Sequence, residues 1–132
     1  LRMVEDYMAN GTPCVGVVSV GRGMASLYGI AQVTDGSVVS IVEKPGKDDY
    51  RGDLALCGRY LFPKESSSIL EGFSVEEHGE LQSIAFMLGL SETHGLRAVD
   101  LSDHSWYDSG NPDSWIRDQV KHMEMRKGQS DN

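Results

Sequence analysis

Two short stretches combine residue types that can do chemistry together. Glu43-Lys44-Pro45 sets an acid and a base side by side, just before a proline that turns the chain away. A lysine there can hold a phosphate as a point charge, and a glutamate can accept hydrogen bonds from ligand hydroxyls. Neighbouring strand residues point to opposite faces, but at a strand end both heads can reach one pocket. A solvated surface pair is the competing reading. Trp106-Tyr107-Asp108-Ser109-Gly110 places one carboxylate between aromatic residues and a glycine turn. Such a carboxylate suits Mg²⁺, which takes one or two protein carboxylates together with phosphate oxygens. An aspartate in this position also reads as a plain turn residue.

Other patterns carry less. Gly21-Arg22-Gly23 invites a dinucleotide-loop reading, but Ser26 stands where the third glycine belongs and a strand pattern follows, so the segment is read as a flexible loop. His78, His94, His104 and His122 show no ligand spacing with each other or with a cysteine, which argues against zinc. No Gly-x-Ser-x-Gly elbow is present to start a hydrolase triad.

The elements that must position these residues follow from periodicity. A helix ends at Asn10-Gly11, and Cys14 to Val20 predicts a strand buried on both faces. Leu27 to Val33 and Ser37 to Glu43 read as strands joined through Asp35-Gly36, a strong hairpin signal. Pro45 to Gly52 reads as a loop, Leu54 to Phe62 as a strand, and Pro63 opens a short helix through Leu70. A helix over Gly79 to Leu90 has the apolar stripe Leu81, Ile84, Ala85 and Leu88. Leu96 to Leu101 is a strand, Trp106 to Gly110 a short extended piece, and Pro112 to Lys127 a last helix. Trp115, Ile116, Val120 and Met123 are expected on its inner side, and the tail from Gly128 is expected to fray. The order predicts an α/β fold with a mixed sheet flanked by helices, its polar connections near strand ends, where such sheets place ligands.

Composition narrows the partners. The 132 residues fit one domain, and a hydrophobic content of 39% is globular. A formal net charge of −8 repels phosphate backbones and anionic lipids, so neither nucleic acid nor a membrane surface is expected as a partner. No apolar run approaches the roughly 18 residues of a membrane span, and the first residues lack the pattern of a signal peptide. Cys14 and Cys57, both in apolar strand-like runs, are expected to be buried reduced thiols of a cytoplasmic protein. The chain opens on Leu1 directly inside a helical pattern, which reads as a partial domain spanning 1–132.

Several short pieces occur in a set order: Tyr28-Gly29-Ile30, Val42-Glu43-Lys44-Pro45, Gly58-Arg59-Tyr60, Gly79-Glu80-Leu81-Gln82 and Tyr107-Asp108-Ser109-Gly110-Asn111. The series resembles the C-terminal, sugar-phosphate-binding half of bacterial UTP–glucose-1-phosphate uridylyltransferases, and it spans nearly the whole chain. Thymidylyl-, adenylyl- and guanylyltransferases share much of the pattern. The resemblance implies a Rossmann-like nucleotidyltransferase fold and the Mg²⁺-dependent conversion of UTP and glucose 1-phosphate to UDP-glucose and pyrophosphate. Lys44 and Asp108 would be catalytic, with Asp108 also a metal ligand. Gly29, Glu43 and Lys44 would bind the substrate, and Gly58 and Glu80 would belong to the sugar-pocket walls. Homo-oligomers are common in the family and are expected by the same analogy. The family's glycine-rich nucleotide loop is not among these residues, Asp53 replaces an asparagine, and Ser83-Ile84-Ala85 replaces Leu-Thr-Asp. A non-catalytic sugar-phosphate-binding or assembly module is the alternative.

Overall fold

In the computed structural model, residues 1–72, 83–110 and 112–130 are described. Helix α1 (Arg2–Asn10) ends at Gly11, whose N–H donates to the Tyr7 carbonyl at 2.7 Å. Strand β1 (Cys14–Ser19) is buried from Cys14 through Val18, as its unbroken apolar run requires. Strands β2 (Gly29–Thr34) and β3 (Ser37–Glu43) form a hairpin, and β4 (Leu54–Leu61) follows. A short helix α2 (Ser67–Glu71), a longer helix α3 (Ser83–His94), strand β5 (Arg97–Asp100) and helix α4 (Pro112–Ser130) complete the order.

The strands close into a ring in the order β1-β4-β2-β3-β5, with β5 returning to β1. β1 pairs antiparallel with β4 and parallel with β5, so the sheet is mixed. The β2–β4 and β3–β5 seams rest on single pairs, Ile30 with Ala55 and Ser37 with Arg97. Gly16 lies inside β1 beside an irregular step in the β1–β4 register, and a Cβ there would stand 2.9 Å from both Cys57 Sγ and Leu101 Cδ1. Only glycine admits this approach.

The β2–β3 turn has the predicted chemistry. Asp35 (φ 50°) and Gly36 (φ 77°) are both left-handed, as a two-residue hairpin of type I′ demands. Gly36→Ala is expected to destabilise the protein by about 1 kcal/mol, because the cost is that of a left-handed backbone. Space is not at issue, since the nearest atoms to the added Cβ lie 3.6 Å away on Arg97. A urea unfolding midpoint equal to wild type would contradict this.

The core collects Val15, Val17, Ala31, Val38, Ile41 and Leu96 from the strands against Phe86, Met87 and Leu90 of α3. The predicted stripe Ile84, Ala85 and Leu88 is only partly buried. α3 is apolar almost all the way round, so periodicity could not choose the face that turns inward. Leu81 lies outside the described residues. A second cluster, Val18, Ala25, Ile30, Ala55 and Cys57, carries Tyr28, Tyr50, Leu101 and Trp106 at its edge. Both cysteines are buried and free, and burial pushes both thiols up. α1 buries no side chain and is held by ion pairs: Asp6 accepts from Arg97 at 2.8 and 2.9 Å, and Arg2 binds Asp103 at 2.6 and 2.8 Å.

Four expectations are corrected. Arg22–Leu27 is a 3₁₀ helix rather than a flexible loop, and β2 therefore starts at Gly29. Lys47–Asp49 forms a further 3₁₀ turn inside the predicted loop. α4 runs to Ser130, past the point where fraying was expected. The largest difference concerns its orientation: Trp115, Ile116, Val120 and Met123 are 53%, 55%, 50% and 58% exposed, not turned inward. α3 supplies Phe86, Met87 and Leu90 to the first core cluster, whereas α4 turns Ser114, Arg117 and Asp118 to a cleft. No helix among the described residues is long and apolar enough to cross a membrane.

Candidate functional site

The end of β3 is built to aim a lysine. Lys44 has φ 45°, a conformation rare for a residue with a side chain, and its N–H donates to the Tyr28 carbonyl at 3.0 Å. Pro45 behind it is buried, so the exit from β3 is fixed on both sides. Backbone strain of this kind persists only where the surroundings over-determine it, and it gathers at ligand sites. Tyr28 lies at the end of the 3₁₀ helix, and its ring meets the Trp106 ring edge-on with centroids 5.0 Å apart. That contact brings the segment after β5 back to the start of β2.

Asp108 follows Trp106 by two residues, and its Oδ1 accepts the Gly110 N–H at 3.1 Å, closing a local turn. The carboxylate faces Tyr28. Burial raises the Tyr28 pKa, and the hydrogen-bonding influence and charge of Asp108 raise it further; Arg117 of α4 acts in the opposite sense. These groups line one cleft of about 650 Å³, walled by Met24, Ser26, Leu27, Tyr28, Lys44, Trp106, Asp108 and Gly110, with Ser114, Arg117 and Asp118 contributed by α4. A smaller hollow of about 300 Å³ shares Ser26 with it and holds Arg22 over the Tyr50 ring at 4.6 Å.

The structure thus brings Lys44 and Asp108 together although 64 positions separate them (108 − 44). Gly29 and Glu43 are directly paired across β2 and β3 but do not line this cleft: Glu43 Oε2 lies 2.9 Å from where a Gly29 Cβ would stand, on a side shared with Leu56 and Ile84. Gly58, at φ 70°, is exposed on β4 and does not line this cleft. Glu80 lies outside the described residues. Asp53 is occupied structurally, accepting the Ser19 hydroxyl at 2.8 Å.

Sequence reasoning quoted Tyr28 without assigning it a role, and it missed Arg117 and Asp118. Their i, i+1 placement on a helix whose apolar stripe was expected inside gave them no weight. Among the described residues no group of three or more His, Cys, Asp or Glu side chains is set to hold a metal. Asp118 nevertheless has one buried carboxylate oxygen, Oδ2, without a hydrogen-bond partner, in the same cleft as Asp108. Two carboxylates with free acceptor capacity fit a hard cation such as Mg²⁺, whose remaining positions go to water and phosphate oxygens.

A model of the family described as nucleotidyl transferase matches residues 1–124. The chain belongs to the nucleotidyl transferase family. A relative from Streptococcus pneumoniae serotype 4, a UTP–glucose-1-phosphate uridylyltransferase, is 28% identical over 95% of this chain and 45% of its own length. A second, UTP–glucose-1-phosphate uridylyltransferase 2 of Streptococcus pyogenes serotype M3, is 32% identical over 83% of this chain and 38% of its own. The solved structure of an apo UDP-glucose pyrophosphorylase superposes with a TM-score of 0.82 at 22% identity, over 95% of this chain and 47% of that one. The mixed α/β architecture is therefore that of nucleotidyl transferases. The chain spans less than half the length of the relatives it matches.

Proposed function

We propose that this cleft binds a sugar 1-phosphate, and that the protein in which it operates makes UDP-glucose and pyrophosphate from UTP and glucose 1-phosphate. The observation that carries the reading is the convergence of Lys44 and Asp108 on one cleft. Family membership and the activity printed for the relatives support the choice of substrates.

In this reading an oxygen of the sugar phosphate attacks the α-phosphorus of UTP in line. The new P–O bond forms as the bond to the β-bridging oxygen breaks, and that oxygen leaves with the electron pair as pyrophosphate. Catalysis then consists of positioning and charge neutralisation. Lys44 holds the sugar phosphate and lowers the repulsion between the two approaching anions. Glu43, lying over Gly29, accepts hydrogen bonds from sugar hydroxyls; Gly58, which does not line the cleft, takes no part in this reading. Asp108, with Asp118 beside it, would hold Mg²⁺, which supplies positive charge to the phosphates. Tyr28 and Trp106 keep Asp108 at the cleft wall. The glycine-rich nucleotide loop of the family is not among the 132 residues, so turnover is expected of a protein that carries it and not of this chain alone. Self-association belongs to the same reading.

Lys44→Ala tests the site. A charge-assisted contact is worth roughly 1.5–3 kcal/mol, so affinity for glucose 1-phosphate should fall about ten- to a hundredfold. Arg should rescue only in part, because its planar fork is longer and shaped differently. An unchanged dissociation constant would make Lys44 a solvated surface charge. In the intact enzyme, a pyrophosphate-release assay across UTP, dTTP, ATP and GTP tests the reaction. Preference for another nucleotide would move the protein to a sister branch, and no turnover with any would favour a binding module.

A further inference from the structure

Helix α4 approaches the barrel with the wrong face for an ordinary packing helix. Its large apolar side chains, Trp115, Ile116, Val120 and Met123, are each about half or more exposed, while Ser114, Arg117 and Asp118 line the cleft. Positions i, i+3 and i+4 share one side of a helix, so these three form a single polar strip. A helix normally turns its apolar stripe to the core and its charges to water. Here other contacts hold it in the reverse sense: the Tyr107 hydroxyl meets Met125 Sδ at 3.0 Å, and Lys121 Nζ stands 5.5 Å from the Tyr107 ring centroid.

The charged groups facing the cleft are Lys44 and Arg117 against Asp108 and Asp118. Among the described residues, neither Lys44 nor Arg117 is committed to an ion pair. The two cations come from different elements, the end of β3 and the second turn of α4, and so approach the cleft along different backbones. The Arg117 charge is felt at Tyr28, on the wall that Lys44 touches through its backbone. A guanidinium offers a planar fork that matches two phosphate oxygens at once, where an ammonium acts as a point.

We propose that Arg117 is a second anion-binding residue of this cleft, and that with Lys44 it clasps the phosphate monoester of the sugar substrate. The proposal rests on the reading of the cleft as a sugar-phosphate site and adds to it a residue from α4. The helix is thereby a wall of the binding site, and its polar strip lines the cleft with Arg117 still exposed to an arriving anion.

The test is titration calorimetry of the 132-residue chain with glucose 1-phosphate, inorganic phosphate, glucose and UTP as separate probes. The wild type is compared with Arg117→Gln, Arg117→Lys and Lys44→Gln, and far-UV circular dichroism checks the fold of each. Arg117→Gln is expected to weaken glucose 1-phosphate and inorganic phosphate about ten- to a hundredfold. Glucose should be indifferent to the change, and Arg117→Lys should restore part of the loss. If Lys44→Gln loses phosphate affinity while Arg117→Gln binds as wild type does, the proposal is overturned and the cleft reading survives. A loss confined to UTP would also overturn it, by assigning Arg117 to the nucleotide. If the folded wild-type chain binds neither phosphate probe, both the cleft reading and this proposal fall.

Discussion

Asp108→Asn, in the protein that carries the nucleotide loop, is expected to lower turnover by about a hundredfold or more and to raise the Mg²⁺ concentration needed for half-maximal rate. Removing one preorganised group that stabilises developing charge costs that much in other enzymes. Asparagine keeps the shape, and its side-chain oxygen can still accept the Gly110 N–H that Asp108 Oδ1 accepts at 3.1 Å. The local turn and the Tyr28–Trp106 contact should therefore persist, and the melting temperature should stay near wild type. Asp118 would remain as a single carboxylate in the cleft, which is why metal binding should weaken rather than vanish. The measurement is steady-state kinetics with Mg²⁺ varied, alongside a thermal melt. Easy unfolding with a normal metal dependence would reduce Asp108 to a turn residue.

Leu90→Ala is expected to destabilise the fold by about 2–5 kcal/mol. Leu90 is 0% exposed and packs in the cluster that joins α3 to β1, β2 and β3. Truncation removes buried methyl groups and leaves a cavity that neighbours on three strands cannot close. Ile116→Ala on α4 is the matched control. Its side chain is 55% exposed, so the expected change is within about 0.5 kcal/mol. Urea unfolding of both variants decides the point. Comparable losses would mean that the apolar side of α4 is packed, as periodicity alone suggests, and would remove the basis for an inward polar strip.

Much of the fold was legible because the signals were local. Asp35-Gly36 specifies a left-handed turn through its own backbone preferences, so the hairpin followed directly. The continuous β-branched run of β1 required burial on both faces, and both were found. The proline after Lys44 fixed the end of β3 within one residue. Helix faces were less legible. α3 has no polar side to reveal its orientation: Phe86, Met87 and Leu90 are buried, while Ile84 and Leu88 of the expected stripe pack partly buried against them.

The candidate site divides in the same way. Glu43, Lys44 and Asp108 stood out by residue type and by their place at strand ends or glycine turns, and the ordered motifs tied them to one family. Which of them meet was a question of tertiary structure. Lys44 and Asp108 line one cleft, and Tyr28 links their segments by accepting the Lys44 N–H at its carbonyl and meeting the Trp106 ring with its own. Arg117 and Asp118 could not be found from spacing, since an amphipathic pattern states that a helix has two faces and not which one a neighbour will accept. That choice belongs to tertiary contacts: Tyr107 meets Met125 and Lys121 of α4, and the helix turns Ser114, Arg117 and Asp118 to the cleft while its apolar side stays exposed.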